Sequence, residues 1–153
     1  MWYRILEITA LLVSALMVGN ELTVAVFLHP TLKRLPGEDP AARRAFACLF
    51  GRAMPFWYAA VLLLTAATFF LGPPFSSVNS KLLLAATVLW AIAIIFSVIW
   101  PAPLNSRIAA WNVRSLPPDW RQQSQRWDRL HAIRMVVLLA ALVCLIVGAV
   151  IAA

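Results

Sequence analysis

Four polar side chains stand out because of where they lie in a very apolar sequence. Glu21 interrupts the first hydrophobic stretch, and a carboxyl group at such a depth usually faces the interior of a helical bundle. His29 follows eight residues later, which in an α-helix means about 12 Å along the axis and about 80° of rotation. The two can share a site only if a ligand or another helix bridges them. Plainer interpretations are a structural hydrogen bond from Glu21 and a helix-ending role for His29 before Pro30.

The other two polar residues, Asp128 and His131, precede the last hydrophobic stretch and are three positions apart. Residues at this spacing are neighbours on one helix face. A carboxylate beside an imidazole fixes its tautomer and raises its basicity, which favours a proton acceptor. With Glu21 and His29 the pair also forms a mixed nitrogen and oxygen set of candidate metal ligands that suits iron. The predicted cofactor is therefore none or a metal such as iron, and haem held by the two histidines is the interpretation that we favour least.

Tryptophans are interleaved with polar residues after the third hydrophobic stretch. Trp111 and Trp127 are close in sequence to Asn105 and Arg107. An aromatic belt at the lipid headgroups is the ordinary explanation for such tryptophans. A planar aromatic ligand stacked on these rings, with arginine meeting its oxygen atoms, is the more specific hypothesis.

The elements that must position these residues follow from composition. The chain of 153 residues is 63% hydrophobic and 12% charged, whereas soluble domains carry about 25% charged residues. Four stretches approach the roughly 20 apolar residues that span a bilayer, and only helices satisfy the backbone there without closing a barrel. We predict an all-α, four-helix transmembrane bundle in a single domain, residues 1–153. The helices are expected at about 5–29, 55–71, 82–100 and 118–153, with the membrane part of the last from about 135.

Short juxtamembrane helices are expected at one end of this bundle. Residues 41–54 place Phe46 and Phe50 at helical spacing among arginines, which predicts a short helix lying in the interface. The segment from Pro118 starts with a helix-initiating signal and is expected to run unbroken into the last span. Glu7 lies near the opposite end and is interpreted as interfacial.

The distribution of charge predicts an orientation. Five basic residues lie at positions 33–52 and six at positions 107–134, so eleven of the 13 lie on one side of the spans. The positive-inside rule makes this side cytoplasmic and leaves both termini outside. We expect an integral protein of a bacterial inner membrane. The net charge of +7 is then expected to interact with anionic membrane lipid rather than with nucleic acid.

Three sequence segments carry a resemblance to a known family. They are PLNSRIAAW at 103–111, PDW at 118–120 and WDRLHAIR at 127–134, joined in the first span by GNE at 19–21 and HP at 29–30. Over nearly its whole length the chain resembles the anthrone-oxygenase-like family of four-helix membrane proteins, many of unknown function. Ser106 stands where the family often has a second asparagine. Fungal members oxidise anthrones to anthraquinones with molecular oxygen.

The resemblance implies an oxygenase or oxidoreductase that acts on a lipophilic, anthrone- or quinol-like compound entering between the helices. His131, oriented by Asp128, would remove an acidic proton before reaction with oxygen. The expected substrate-binding residues are Asn105, Arg107, Trp111, Trp127 and Arg134. The alternative is a non-enzymatic membrane module that binds a lipophilic ligand or a partner protein, with Arg134 paired to Asp128 or Glu21 as a structural lock.

Overall fold

The computed structural model describes residues 1–35, 39–72 and 74–151, and within them the regular elements are all helical. These are α1 (Trp2–Thr23), a π-helical turn (Val24–Leu28), α2 (His29–Arg34), α3 (Pro40–Leu71), α4 (Val78–Ile99), α5 (Pro101–Ala109) and α6 (Trp120–Ile151). Four helical segments are long and apolar enough to cross a membrane: 2–34, 40–71, 78–99 and 120–151. The prediction of an all-α bundle with four spans is confirmed.

The centre of the bundle is packed with apolar side chains, and its outer surface is apolar as well. Met17, Trp90 and Leu138 have no exposed surface, yet Phe56 and Val136 are 80% and 69% exposed. An outer surface of this kind is matched to lipid chains rather than to water. The chain is therefore an integral membrane protein.

Helix α3 is longer than the sequence predicted. It begins at residue 40, where the Asp39 carboxylate accepts a hydrogen bond from the Ala42 amide, which is the usual N-terminal cap. It then continues through Pro55, which neighbouring helices allow inside a membrane span. The prediction of a separate interfacial helix at residues 41–54 is wrong, because this segment forms nearly the first half of α3. Its buried apolar residue, Ala47, packs in a cluster with side chains of α5 and α6.

We call one end of the bundle, formed by α2, α5 and the first turns of α3 and α6, the basic end. Helix α6 runs without a break from Trp120 to Ile151, so the predicted continuation of this segment into the last span is confirmed. The short helix α5 starts at Pro101 and lies across α3 and α6. A cluster of buried apolar side chains holds them together: Ala47, Leu104, Ile108, Trp111 and Trp120.

Candidate active site

A π-helical turn in the first span aligns Glu21 with His29. The turn at residues 24–28 lies between them, and a turn closed by i→i+5 hydrogen bonds holds one residue more than an α-helical turn. The extra residue reduces the angle between Glu21 and His29 about the helix axis by about 100°. The predicted angle of about 80° therefore becomes about 20° in the opposite sense. Both side chains are buried, at 3% and 6% exposure. The π turn therefore turns them toward the same side of the bundle interior.

A second helix bridges the first span at this level, through Arg134 and His131 of α6. The Arg134 guanidinium donates through Nη2 to Glu21 Oε2 at 2.6 Å and lies 3.0 Å from His131 Nδ1. His131 Nε2 lies 3.1 Å from the backbone carbonyl oxygen of Glu21. Because a carbonyl only accepts, Nε2 carries the hydrogen and the Nδ1 lone pair of the neutral ring accepts from Arg134. Glu21 thus fixes the tautomer of His131.

Asp128 has different partners from those that we predicted. Its Oδ1 lies 3.2 Å from Arg43 Nη1 and 3.5 Å from His29 Nδ1, and its Oδ2 lies 2.9 Å from Lys33 Nζ. The prediction that Asp128 orients His131 is wrong. Spacing on α6 places the two on adjoining turns, but cations from α2 and α3 reach the carboxylate and form stronger charge-assisted contacts. The histidine that Asp128 contacts is His29.

Three aromatic rings pack together between these two polar groups. Trp127 stacks on His131 with ring centroids 5.1 Å apart and planes 12° apart. His29 meets both rings edge-on, at 4.9 Å and 5.0 Å. Such packing restricts rotation of the His131 ring. The direct contact of the two histidines also leaves no space for a haem between them.

The four predicted metal-ligand candidates do not converge on one point. Within residues 1–35, 39–72 and 74–151, no three His, Cys, Asp or Glu side chains are arranged to hold a metal ion. The Glu21 carboxylate is held by Arg134, and the Asp128 carboxylate is held by Lys33 and Arg43. These cations would repel a metal ion at either place. The four candidate ligands therefore do not fit a shared site for a metal such as iron.

A cavity of about 480 Å³ opens beside the Glu21–His131–Arg134 group, which is a volume typical of small-molecule sites. Its walls are mostly apolar, and at one side they include Leu63 of α3 and Val98 of α4, which are 68% and 64% exposed. The cavity therefore opens between α3 and α4 on the lipid-facing surface.

Several buried hydrogen-bond donors in the cavity wall have no hydrogen-bond partner among the described residues. Buried donor atoms that lack a hydrogen-bond partner among the described residues belong to four lining side chains: Asn20 Nδ2, Tyr58 OH, Trp127 Nε1 and Arg134 Nε. Buried polar atoms are nearly always satisfied in folded proteins. These four donors in the wall favour a ligand that carries acceptor oxygen atoms.

The cavity brings together five of the nine predicted site residues, namely Glu21, Asn105, Trp127, His131 and Arg134. His29 and Asp128 lie behind Trp127 and His131, outside its lining. Arg107 and Trp111 also lie outside the cavity lining, contrary to the prediction that they bind substrate there. Arg107 is two residues after Asn105, which is about 200° around α5, and Trp111 is buried in the apolar cluster with its indole hydrogen-bonded to Gln123.

Sequence reasoning missed Tyr58, which lies in the cavity wall. The side chain is 6% exposed, and the Arg134 guanidinium lies 5.4 Å from its ring centroid. The available signal was position, because a tyrosine within a span departs from the usual placement at the interface.

Gly51 was missed as well. A Cβ atom there would come within 2.8 Å of Asn105 Nδ2, the same atom that donates to the Ala47 carbonyl at 2.8 Å. The absence of a side chain at Gly51 therefore permits the position of Asn105 in the cavity wall.

Residues 46–144 match the model of a family described as anthrone oxygenase. The match covers more than half of the 153 residues. The chain belongs to the anthrone oxygenase family. The matched region includes Tyr58, Asn105, His131 and Arg134 of the cavity, whereas Glu21 precedes it. Neither a curated protein nor a solved structure matches the chain.

Proposed function

We propose that this member of the anthrone oxygenase family is a membrane-embedded oxygenase for a lipophilic aromatic compound of the anthrone or quinol type. The observation that carries the proposal is the apolar cavity of about 480 Å³ with Glu21, His131 and Arg134 grouped in its wall. A compound dissolved in the bilayer enters through the opening between α3 and α4. Family membership supports reaction with oxygen at the level of the family.

His131 is the proton acceptor in this proposal. Its Nδ1 bears the lone pair and lies 3.3 Å from Glu21 Oε2, so the carboxylate stabilises the imidazolium that forms when an acidic C–H or O–H proton is removed. Arg134 Nη2, which occupies Nδ1 in the resting site, moves to the oxyanion that develops on the substrate. The Tyr58 hydroxyl and the Asn105 amide are further donors in the same wall.

The deprotonated substrate is electron-rich and reacts with dioxygen, which partitions into the same apolar space. For an anthrone, the methylene carbon loses two hydrogen atoms and gains one oxygen atom as a carbonyl, and the second oxygen atom leaves as water. Atoms and electrons balance with one dioxygen per substrate. The apolar walls keep bulk water away from the anion while this occurs.

Oxygen uptake by the purified chain tests the proposal. The protein in detergent is supplied with anthrone, and the rate is compared with those of His131→Gln, Glu21→Gln and the control Glu7→Gln. Glu7 is also buried in α1, at 3% exposure, but lies outside the cavity lining. We expect uptake by wild type and by the control, with a loss of 10²-fold or more, about the contribution of a general base, in the two cavity variants. Wild-type uptake no faster than the detergent blank would end the proposal.

A second candidate function is a non-enzymatic module that binds a lipophilic ligand. It is favoured by the pairing of the polar side chains with one another, since Glu21 is held by Arg134 and Asp128 by Lys33 and Arg43. In such a module these contacts lock the helices together. The two candidates separate on folding: a folded but inactive His131→Gln variant favours the enzyme, and an unfolded one favours the lock.

A further inference from the structure

A second concavity lies at the basic end, on the other side of His29 and Asp128 from the large cavity. It has a volume of about 470 Å³ and is bordered by α2, α3 and α6. Its described lining residues are Lys33, Arg43, Gln125, Asp128, Arg129 and Ala132, and it shares none of them with the large cavity. We call it the basic cleft. The proposed oxygenase chemistry makes no use of it.

The basic cleft carries more positive than negative charge. The described residues that line it include three cationic side chains, Lys33, Arg43 and Arg129, and one carboxylate, that of Asp128. Both oxygens of that carboxylate are already in contact with cations, at 2.9 Å from Lys33 and 3.2 Å from Arg43. One carboxylate therefore leaves an excess of two positive charges in a partly buried place, where a counter-charge is favoured.

Arg43, which lines the basic cleft and also a small cavity beside His29, has hydrogen-bond donors that favour a bound anion. Its side chain is 5% exposed, and only Nη1 is engaged, by Asp128. Its Nε and Nη2 are buried with no hydrogen-bond partner in the described part of the chain. Leaving two guanidinium donors unsatisfied is costly. The planar guanidinium group is suited to the oxygen atoms of a phosphate.

We propose that the basic cleft binds a phosphate group, supplied either by the headgroup of an anionic lipid or by free phosphate. Arg43 holds it at the base, while Lys33, with a side chain 48% exposed, and the exposed Arg129 meet it at the rim. Basic pockets between helices at the end of a span are places where anionic headgroups bind. The site is independent of the proposed oxygenase function.

Asp128 competes with such a ligand because it contacts two of the same cations. Replacing its carboxylate by the isosteric amide removes the competing charge. Asp128→Asn is therefore expected to bind phosphate more tightly than wild type, by about fivefold for one charge. Unchanged or weaker phosphate binding by Asp128→Asn would contradict this competition.

Calorimetric titration of the full chain in a non-ionic detergent tests the site with three probes. They are inorganic phosphate, dihexanoylphosphatidylglycerol and, as the zwitterionic control, dihexanoylphosphatidylcholine. The matched variants are Arg129→Gln and Arg126→Gln, which lie three residues apart on α6 and are both exposed, although only Arg129 lines the cleft. We expect about fivefold weaker binding for Arg129→Gln and no change for Arg126→Gln.

The probes also separate the two sources of phosphate. Saturable binding of phosphatidylglycerol but not of inorganic phosphate assigns the cleft to a lipid headgroup, and equal binding of both assigns it to free phosphate. Two results would overturn the site: no saturable binding of either anion, or equal weakening by Arg126→Gln and Arg129→Gln, which would mean diffuse attraction to the basic end. Because both variants are on the surface of α6, loss of folding does not confuse the comparison.

Discussion

Replacing Arg134 by methionine is expected to destabilise the bundle strongly, because it leaves the Glu21 carboxylate buried without a cation. The two side chains are 9% and 3% exposed, and Arg134 Nη2 lies 2.6 Å from Glu21 Oε2. At an effective dielectric constant of about 20, unit charges at this distance attract each other by roughly 6 kcal/mol, and desolvation offsets much of this. Removing one partner of a buried pair costs about 3–5 kcal/mol. We expect a loss of this size in the free energy of unfolding of Arg134→Met.

The double variant isolates the contribution of the pair. Glu21→Gln removes the charge but keeps the shape, so adding it to Arg134→Met removes the uncompensated carboxylate. We expect the double variant to be about 2 kcal/mol more stable than the sum of the single losses implies. The matched control is Glu7 with Arg4, three residues apart in α1, where the Arg4 side chain is 49% exposed. That pair is expected to contribute about 0–1 kcal/mol.

Unfolding in mixed micelles of rising dodecyl sulfate fraction, followed by helical circular dichroism, supplies the free energies. All six variant proteins of the two cycles, two single variants and one double variant in each, are compared with wild type in the same detergent. A coupling below about 0.5 kcal/mol between the substitutions at Glu21 and Arg134 would refute the reasoning. It would mean that the two side chains do not depend on each other for burial.

Three further predictions concern the walls of the two concavities. Gly51→Ala is expected to displace the Asn105 amide, lower the free energy of unfolding by about 1 kcal/mol and raise KM in the anthrone assay. The control Gly19→Ala, with nothing within 4 Å of the new Cβ, should leave KM unchanged and add helix stability. Equal KM values for the two variants would contradict this prediction. Val98→Trp should obstruct the lipid-side opening and lower kcat/KM, while Ile95→Trp, equally on the outer face of α4 but outside the lining, should not; equal activities would place the entrance elsewhere. Asp128→Asn should slow oxygen uptake far less than Glu21→Gln, because Asp128 lies outside the cavity; an equal loss in both variants would restore Asp128 to the chemistry.

Much of the bundle could be predicted because the lipid environment leaves the backbone few options. Four apolar stretches of sufficient length define four spans, and a helix that starts near Pro118 and continues into the last span follows from local signals. Residues 41–54 were misassigned for a physical reason. An amphipathic segment looks the same in sequence whether it forms a separate helix at the interface or, as here, the beginning of a longer helix.

Five of the nine predicted site residues line the cavity, but the pairings among the polar side chains were not predictable. Helical spacing showed that Asp128 and His131 share one side of α6. It contains no information about which neighbouring helix supplies a partner, and Lys33 and Arg43 reach Asp128 from elsewhere in the chain. The π turn that aligns Glu21 with His29 has no simple sequence signature, so the predicted offset between them assumed an ordinary α-helix.

The most direct test of the account is proton removal itself, measured without oxygen. Anthrone is incubated anaerobically in heavy water with the purified chain, and exchange of its methylene hydrogens for deuterium is followed by mass spectrometry. We expect wild type and Glu7→Gln to accelerate exchange above the rate in detergent alone, and His131→Gln to return it to that rate. Exchange that His131→Gln supports as well as wild type does would contradict the assignment of His131 as the proton acceptor.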